Sequence, residues 1–187
     1  MLLALFLSCT SGKTGEQTES TQKSNQDICS FSFQLKKAIT SRLNKTCEKI
    51  NPKEVTSLNL SNWPTPYTEF EDLQYFVHLE VLNLSDSKVK QLDFLQHMPN
   101  LQILHLDHTE VVDLTPIASN TSLKELWLDQ SKIQDVSGLQ SNTTLQELTL
   151  RNTDILNIEP LSNNKQLKVL DISSTQVQDL RPLEGNT

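Results

Sequence analysis

Seven residues between positions 105 and 151 combine one tryptophan with acidic, basic and hydrogen-bonding side chains. Tryptophan and arginine are enriched in the binding hot spots of protein interfaces, and polar side chains commonly surround such anchors. We therefore predict a partner-binding surface formed by His105, Asp107, Glu125, Trp127, Asp129, Thr149 and Arg151. The alternative interpretation is that Trp127 is an incidental aromatic residue of the surface.

The same stretch also contains groups that bind metal ions. His105, Asp107 and Asp129 offer an imidazole and two carboxylates, but isolated surface residues explain such a set more often, so we predict no metal and no cofactor. The sequence has no Ser/His/Asp order, phosphate loop or paired-carboxylate motif apart from its repeats. We therefore predict no catalytic residues and a protein that is not an enzyme.

A 22-residue repeat positions these side chains. From Leu79 onwards each unit begins with the pattern L-x-x-L-x-L, and the opening leucines are Leu79, Leu101, Leu123, Leu145 and Leu167. The second and third apolar residues lie two apart on a short strand, so both point inward while the residues between them point outward. Stacked units then share one apolar column and a parallel sheet. The seven candidate residues all fall on outward positions.

Two polar columns and a proline column complete each unit. A hydroxyl at the turn after the strand can bond the local backbone, and it is supplied by Ser87, Thr109, Ser131, Thr153 and Thr175. Prolines at 116, 160 and 182 suit an extended segment or a short 3₁₀ turn, and Gly138 takes their place in one unit. Before each new strand we expect a chain-reversing column of Asn120, Asn142, Asn164 and Asn186.

The complete phrase, as in LQELTLRNTDILNIEPLSNNKQ, resembles the internalin-like, 22-residue class of bacterial leucine-rich repeats. The resemblance covers residues 79–187 strongly and 55–78 weakly. It implies an α/β, β-rich repeat solenoid that is curved and right-handed. Short parallel strands would line the concave face, extended or 3₁₀ segments the convex face, and a helix would cap the N-terminal end. Known relatives are adhesins and protein-binding modules, but fold alone names no ligand.

Residues 55–78 form an irregular first repeat. Val55, Leu58 and Leu60 predict its strand, and the interval before Leu79 is rich in aromatic residues and proline. These aromatics either fill a widened first turn or form a lip used for binding. The aromatic and proline residues concerned are Trp63, Pro64, Pro66, Tyr67, Phe70, Tyr75 and Phe76.

Residues 28–54 are predicted to form the N-terminal cap. Phe31, Leu35, Ile39 and Leu43 fall on one face of a helix by their spacing of four, and a solenoid needs such a cover over its first strand.

Cys29 and Cys47 bracket this helix and are either free thiols or a disulfide. We expect pairing in an exported chain, and the arrangement resembles the cysteine-flanked caps of many exported leucine-rich repeat proteins. No C-x-x-C motif or nearby histidine favours zinc.

The N-terminal residues resemble the signal of a bacterial lipoprotein. Residues 1–8 are a signal-peptide-like apolar segment, and Phe6, Leu7, Ser8 and Cys9 resemble a lipobox. We therefore expect a lipid on Cys9, a polar disordered tether over residues 9–27, and anchoring in the cell envelope at the outer membrane or cell surface. The apolar run is short and lacks a preceding Lys or Arg, so either Met1 lies downstream of the true start or the signal is degenerate. A simple hydrophobic tail is the alternative.

Charge separates the two parts of the chain. Residues 1–50 carry seven Lys/Arg against four Asp/Glu, whereas residues 51–187 carry nine against 19. An acidic repeat domain repels phosphate backbones, so we predict no nucleic-acid partner.

The five regular repeats span 79–187, the last incomplete by one residue and without a C-terminal cap. Two function classes remain. The first is an envelope-displayed module that binds an unidentified protein ligand on its concave face, in adhesion or host contact. The second is a structural or assembly protein that contacts partners or forms oligomers through the open C-terminal edge; a remnant of a longer protein would look similar.

Overall fold

A computed structural model describes residues 27–63 and 67–186. It contains one six-stranded parallel sheet in which every strand neighbours the next in sequence order. The strands are β1 (Ser57–Asn59), β2 (Val81–Asn83), β3 (Ile103–His105), β4 (Glu125–Trp127), β5 (Glu147–Thr149) and β6 (Val169–Asp171). The predicted solenoid with short parallel strands is therefore confirmed.

The register of the sheet stacks equivalent positions of the repeat. Leu82 pairs with Leu104, and Leu104 with Leu126. These central leucines are fully buried, as are the apolar residues two places later, such as Leu84 and Leu106. Because inward residues alternate with outward ones along a strand, residues on either side of each central leucine face the concave surface.

Short 3₁₀ helices form the opposite face. They span Asp93–His97, Thr115–Ser119, Ser137–Leu139, Glu159–Asn163 and Arg181–Leu183. In the last four of these, an aspartate or asparagine two places before the helix accepts a hydrogen bond from its first backbone N–H, as Asp113 does from Thr115 at 2.8 Å. Such local bonds satisfy amides that the short helices leave without a backbone partner. Of the two predicted forms of the convex segments, extended or 3₁₀, the structure has 3₁₀ helices at these positions.

The turn hydroxyls after the strands bond the backbone as expected, with one exception. Thr109 and Thr153 donate to the carbonyl oxygens of Leu106 and Leu150 at 2.6 and 2.7 Å. The buried hydroxyl of Ser131 makes no hydrogen bond within the described residues.

The asparagine column does more than reverse the chain. Asn120, Asn142 and Asn164 are fully or almost fully buried, and each side-chain Nδ2 donates to two backbone carbonyl oxygens of the preceding unit. The column therefore joins neighbouring units by hydrogen bonds inside the solenoid.

Helix α1 (Phe33–Leu43) covers the N-terminal end of the sheet. Ser32 caps it by accepting a hydrogen bond from the Leu35 N–H at 3.3 Å. The helix buries Leu35 and Ile39. The prediction that Phe31 lies on the helix was wrong, because the Ser32 cap starts the helix after it. Phe31 is nevertheless buried, where its ring packs against Tyr75 and Phe76.

A disulfide joins Cys29 to Cys47 across the two ends of this cap, with 5.1 Å between the Cα atoms. After α1, Asn44 adopts a left-handed conformation with φ of 49°. This turn reverses the chain and brings Cys47 back to Cys29. The bridge therefore closes the cap into a loop.

Three aromatic residues of the first repeat belong to the core. Trp63, Phe70 and Phe76 are buried, and the rings of Trp63 and Phe70 lie 5.7 Å apart. The alternative that they form a binding lip was wrong for these three residues, because their rings fill the widened turn between β1 and β2. Cys9 and the proposed tether lie outside the described residues, apart from Asp27. Among the described residues, no helix has both the length and the hydropathy of a membrane span.

Candidate functional site

The concave face consists of three parallel rows of outward side chains that run across the sheet. Strand register places Val81, Ile103, Glu125, Glu147 and Val169 in the first row, and Asn83, His105, Trp127, Thr149 and Asp171 in the second. The third row follows the strands and contains Ser85, Asp107, Asp129, Arg151 and Ser173. The seven residues predicted from sequence all lie on this face, over β3, β4 and β5.

Trp127 is held at the centre of the face by two neighbours. Its ring meets the imidazole of His105 edge-on, with 3.7 Å between ring centroids and 75° between planes. Its indole Nε1 donates a hydrogen bond to Glu147 Oε1 at 3.2 Å. These contacts cover part of the side chain, so Trp127 is only partly accessible to solvent. Glu147 was missing from the predicted site, although its position opposite Glu125 follows from the 22-residue spacing.

Asp107 and Asp129 connect successive repeats. Asp107 accepts hydrogen bonds from the Ser85 hydroxyl at 3.1 Å and from the backbone N–H of Asp129 at 3.0 Å. Asp129 in turn accepts from the backbone N–H of Arg151 at 3.0 Å, and it forms an ion pair of 3.1 Å with the guanidinium of that residue. These two carboxylates therefore hold the third row in place.

The residue type in the second row determines which side chain bonds the backbone N–H groups of the third row. In β2, Asn83 accepts a hydrogen bond from the backbone N–H two places later, and Asp171 does the same in β6. Trp127 and Thr149 occupy the equivalent position in β4 and β5, and neither makes that local bond. The carboxylates of Asp107 and Asp129 bond the backbone N–H groups of Asp129 and Arg151 instead. The second-row positions of β4 and β5 are therefore not needed for this local hydrogen bond, and they can carry side chains with another role.

Partial burial lowers the pKa of His105 below its ordinary value, and the nearby charge of Asp107 opposes this effect. Since desolvation disfavours the imidazolium, the ring is predominantly neutral at pH 7. A neutral imidazole packs against the indole edge without placing a positive charge beside it.

The face has a strongly acidic centre. A depression of about 430 Å³ is lined by nine residues, among them Trp127, four carboxylates and a single arginine. Its lining comprises Ser85, Asp86, Asp107, His108, Trp127, Asp129, Glu147, Thr149 and Arg151.

The geometry gives no support to a metal at His105, Asp107 and Asp129. Over residues 27–63 and 67–186, the group of three potential ligands within 4.8 Å of one another is Cys29, Cys47 and Glu48. The two sulfurs of that group form the disulfide, so they are not available as thiolate ligands.

A stack of six short parallel strands, backed by 3₁₀ segments and repeating every 22 residues from β2 onwards, defines a leucine-rich repeat solenoid. The family Leucine Rich repeats (2 copies) matches the chain over residues 77–119, 99–141 and 143–185. The protein therefore belongs to the leucine-rich repeat family.

Three solved structures of bacterial proteins are similar to the chain, and two of them are internalins. Internalin C2 from Listeria monocytogenes has 28% identity and a TM-score of 0.73, with 80% of this chain and 68% of that one covered. The internalin inlF of the same organism has 22% identity and a TM-score of 0.68, covering 90% and 58%. A leucine-rich repeat protein from Leptospira interrogans has 20% identity and a TM-score of 0.61, covering 71% and 36%.

The chain thus spans 58% of the second of these proteins and 36% of the third. No curated protein matches the chain in sequence.

Proposed function

We propose that this protein is a non-enzymatic module that binds a protein ligand on its concave face, centred on Trp127. One observation carries the proposal. Trp127 is a large aromatic side chain on a face of mostly polar residues, and His105 and Glu147 hold it in a fixed orientation. An anchor that is already ordered loses less conformational entropy when a partner binds. Such a central aromatic residue with a polar surround is the usual composition of a hot spot.

The particular role that we propose is adhesion or contact with a host cell. The similarity to internalins supports this choice, and the acidic repeat domain disfavours nucleic acid as the partner. The concave face, being a rigid sheet, provides a preformed surface for a folded ligand.

We further propose display in the cell envelope through a lipid on Cys9. The proposal rests on the apolar run of residues 1–8 and on Ser8 directly before the cysteine. Metabolic labelling with an alkyne fatty acid tests it: label on the wild type and none on Cys9→Ser is the expected result. Equal labelling of both forms, or of neither at normal expression, would contradict it.

Partner capture on living host cells tests the binding role. The fluorescently labelled chain should bind cells in a saturable manner, and Trp127→Ala should weaken that binding by roughly 30-fold or more. The matched control is Glu159→Gln, which alters an exposed residue of a convex 3₁₀ helix and should bind like the wild type. Equal binding of wild type and Trp127→Ala would contradict a concave binding site.

Contact through the last repeat is the second candidate. Leu170, Ile172 and Val177 are only partly buried there, whereas the equivalent residues of earlier units are fully buried. Leu180 is also 56% exposed. If this edge carries the contacts, Leu180→Ser should weaken association and Trp127→Ala should not.

A further inference from the structure

Two glutamates lie directly opposite each other on the concave face. Glu125 of β4 and Glu147 of β5 are register partners in neighbouring parallel strands, whose spacing is about 4.8 Å. Their side chains emerge on the same face, and like charges in directly opposite positions destabilise a sheet. The pair therefore lowers the stability of the unliganded protein locally.

Among the described residues, few positively charged side chains lie where they could neutralise the two glutamates. Arg151 belongs to the third row, and its guanidinium pairs with Asp129. Lys124 and Lys168 donate their ammonium hydrogens to the side-chain oxygens of Gln102 and Gln146.

The two glutamates also differ in the number of hydrogen bonds that their carboxylates make. Glu147 gives one oxygen to the Trp127 indole. Within the described part of the chain, the Glu125 carboxylate makes no hydrogen bond and no ion pair. Three carboxylate oxygens of the pair are thus open to a ligand.

The neighbours of the pair favour one kind of cation. In the same row, Ile103 and Val169 flank the glutamates on either side, and Val169 is 48% exposed. Trp127 lies in the adjacent row. A guanidinium group is planar, binds carboxylates through two parallel hydrogen bonds and stacks on aromatic rings, whereas an ammonium group is a compact, strongly hydrated point charge. Aliphatic neighbours suit the methylene stem that carries the guanidinium.

We propose that Glu125 and Glu147 together bind an arginine side chain of the protein partner, beside the ring of Trp127. This inference rests on the proposed function, because it assigns the chemistry of the partner at the same face. The acidic charge of residues 51–187 agrees with it, since complementary charge accelerates encounter and selects partners.

A titration with two small probes tests the proposal directly. The full chain labelled with ¹⁵N is titrated with N-acetyl-arginine amide and, separately, with N-acetyl-citrulline amide, which has nearly the same shape and no charge. The indole N–H resonance of Trp127 reports on the site. We expect saturable shifts from the arginine compound at millimolar concentration and none from the citrulline compound. Equal shifts from both compounds, or none from either, would overturn the proposal.

Substitutions of the two glutamates test whether the arginine compound binds at this pair. Glu125→Gln combined with Glu147→Gln should weaken binding of the arginine compound at least about tenfold, because hydrogen bonds to charged groups are lost. Glu159→Gln on the convex face should leave it unchanged. Calcium chloride in place of the arginine compound should not move the resonance. An unaltered affinity of the double variant, or saturation by calcium alone, would contradict arginine binding at this pair.

Thermal unfolding gives an independent measurement. In low salt, Glu125→Gln should raise the melting temperature because it removes one charge of two like-charged register partners, and added salt should reduce the difference. The arginine compound should raise the melting temperature of the wild type above that in equimolar sodium chloride, but not that of the double variant.

The two proposals fail differently. If Trp127→Ala weakens cell binding while the arginine and citrulline compounds behave alike, the concave binding role stands and arginine recognition is wrong. If the arginine compound binds the pair while Trp127→Ala retains cell binding, the concave binding role fails, and the pair is not part of the partner site.

Discussion

Asn142 lies in the stack directly next to Asn120, and its Nδ2 donates a 2.8 Å hydrogen bond to the carbonyl oxygen of Asn120. The same Nδ2 donates to the Ile117 carbonyl oxygen at 3.2 Å, and the side chain is fully buried. Both carbonyls also accept a backbone hydrogen bond within their own unit, at 2.8 Å for Ile117 and 3.0 Å for Asn120. The Asn142 amide thus adds a second hydrogen bond to each and joins the two units.

Asn142→Ala is therefore expected to destabilise the protein by about 1 to 3 kcal/mol, because two buried hydrogen bonds between units are lost. Chemical denaturation measures the change. Asn163→Ala, at an exposed position of a 3₁₀ helix, is the control and should lie within about 0.5 kcal/mol of the wild type. A similar loss in both variants would remove the special role of the column.

Ser131 offers the opposite case, a site where stability can be gained. Its buried hydroxyl has no partner among the described residues, whereas Thr109 and Thr153 bond the carbonyl three places earlier. Ser131→Thr should adopt the same rotamer and gain about 0.5 to 1.5 kcal/mol from the new bond. Ser131→Ala should cost less than Thr153→Ala, which loses an existing bond. A destabilised Ser131→Thr variant would show that the turn has no room for the methyl group.

Gly138 departs from the proline column for a steric reason. A Cβ at this position would clash with the carbonyl group of Leu114, although Pro116, Pro160 and Pro182 occupy the same place in other units. Gly138→Ala is expected to destabilise the protein by about 1 to 3 kcal/mol through overpacking, and the repeat-consensus change Gly138→Pro should do the same. The melting temperature reports both. An increase after Gly138→Pro would contradict this account.

The repeat pattern predicts the periodic part of the fold well, because each column of one residue type has one environment. The strands, the buried leucines and the 3₁₀ segments all follow from it. Contacts between side chains of different repeats or different columns are harder to predict. The partial burial of Trp127 depends on contacts with His105 and Glu147, which are separated from it by 22 and 20 residues.

The same holds for Asp107 and Asp129, which the sequence suggests as ligand contacts and which also bond the next repeat. The helix start after Phe31 depends on the Ser32 cap, and hydrophobic spacing alone does not detect it.

His105 should make stability depend on pH. Burial lowers the pKa of this imidazole in the folded protein below its unfolded value of about 6.5. The unfolded chain therefore binds the proton first, so the free energy of unfolding should fall as the pH drops through 6.5 towards the folded pKa. Above pH 7 the effect should vanish. His105→Gln should remove this part of the pH dependence in denaturation curves, and an unchanged pH profile would contradict it.

The most direct test of the central claim is the affinity of the Trp127→Ala variant for a partner protein isolated by the wild-type chain, measured by titration calorimetry. If Trp127 anchors the ligand, binding should weaken by about 2 kcal/mol or more, or roughly 30-fold. Leu180→Ser at the last repeat should bind like the wild type. An unchanged affinity of Trp127→Ala, together with a loss in Leu180→Ser, would contradict a concave binding site and favour contact through the edge.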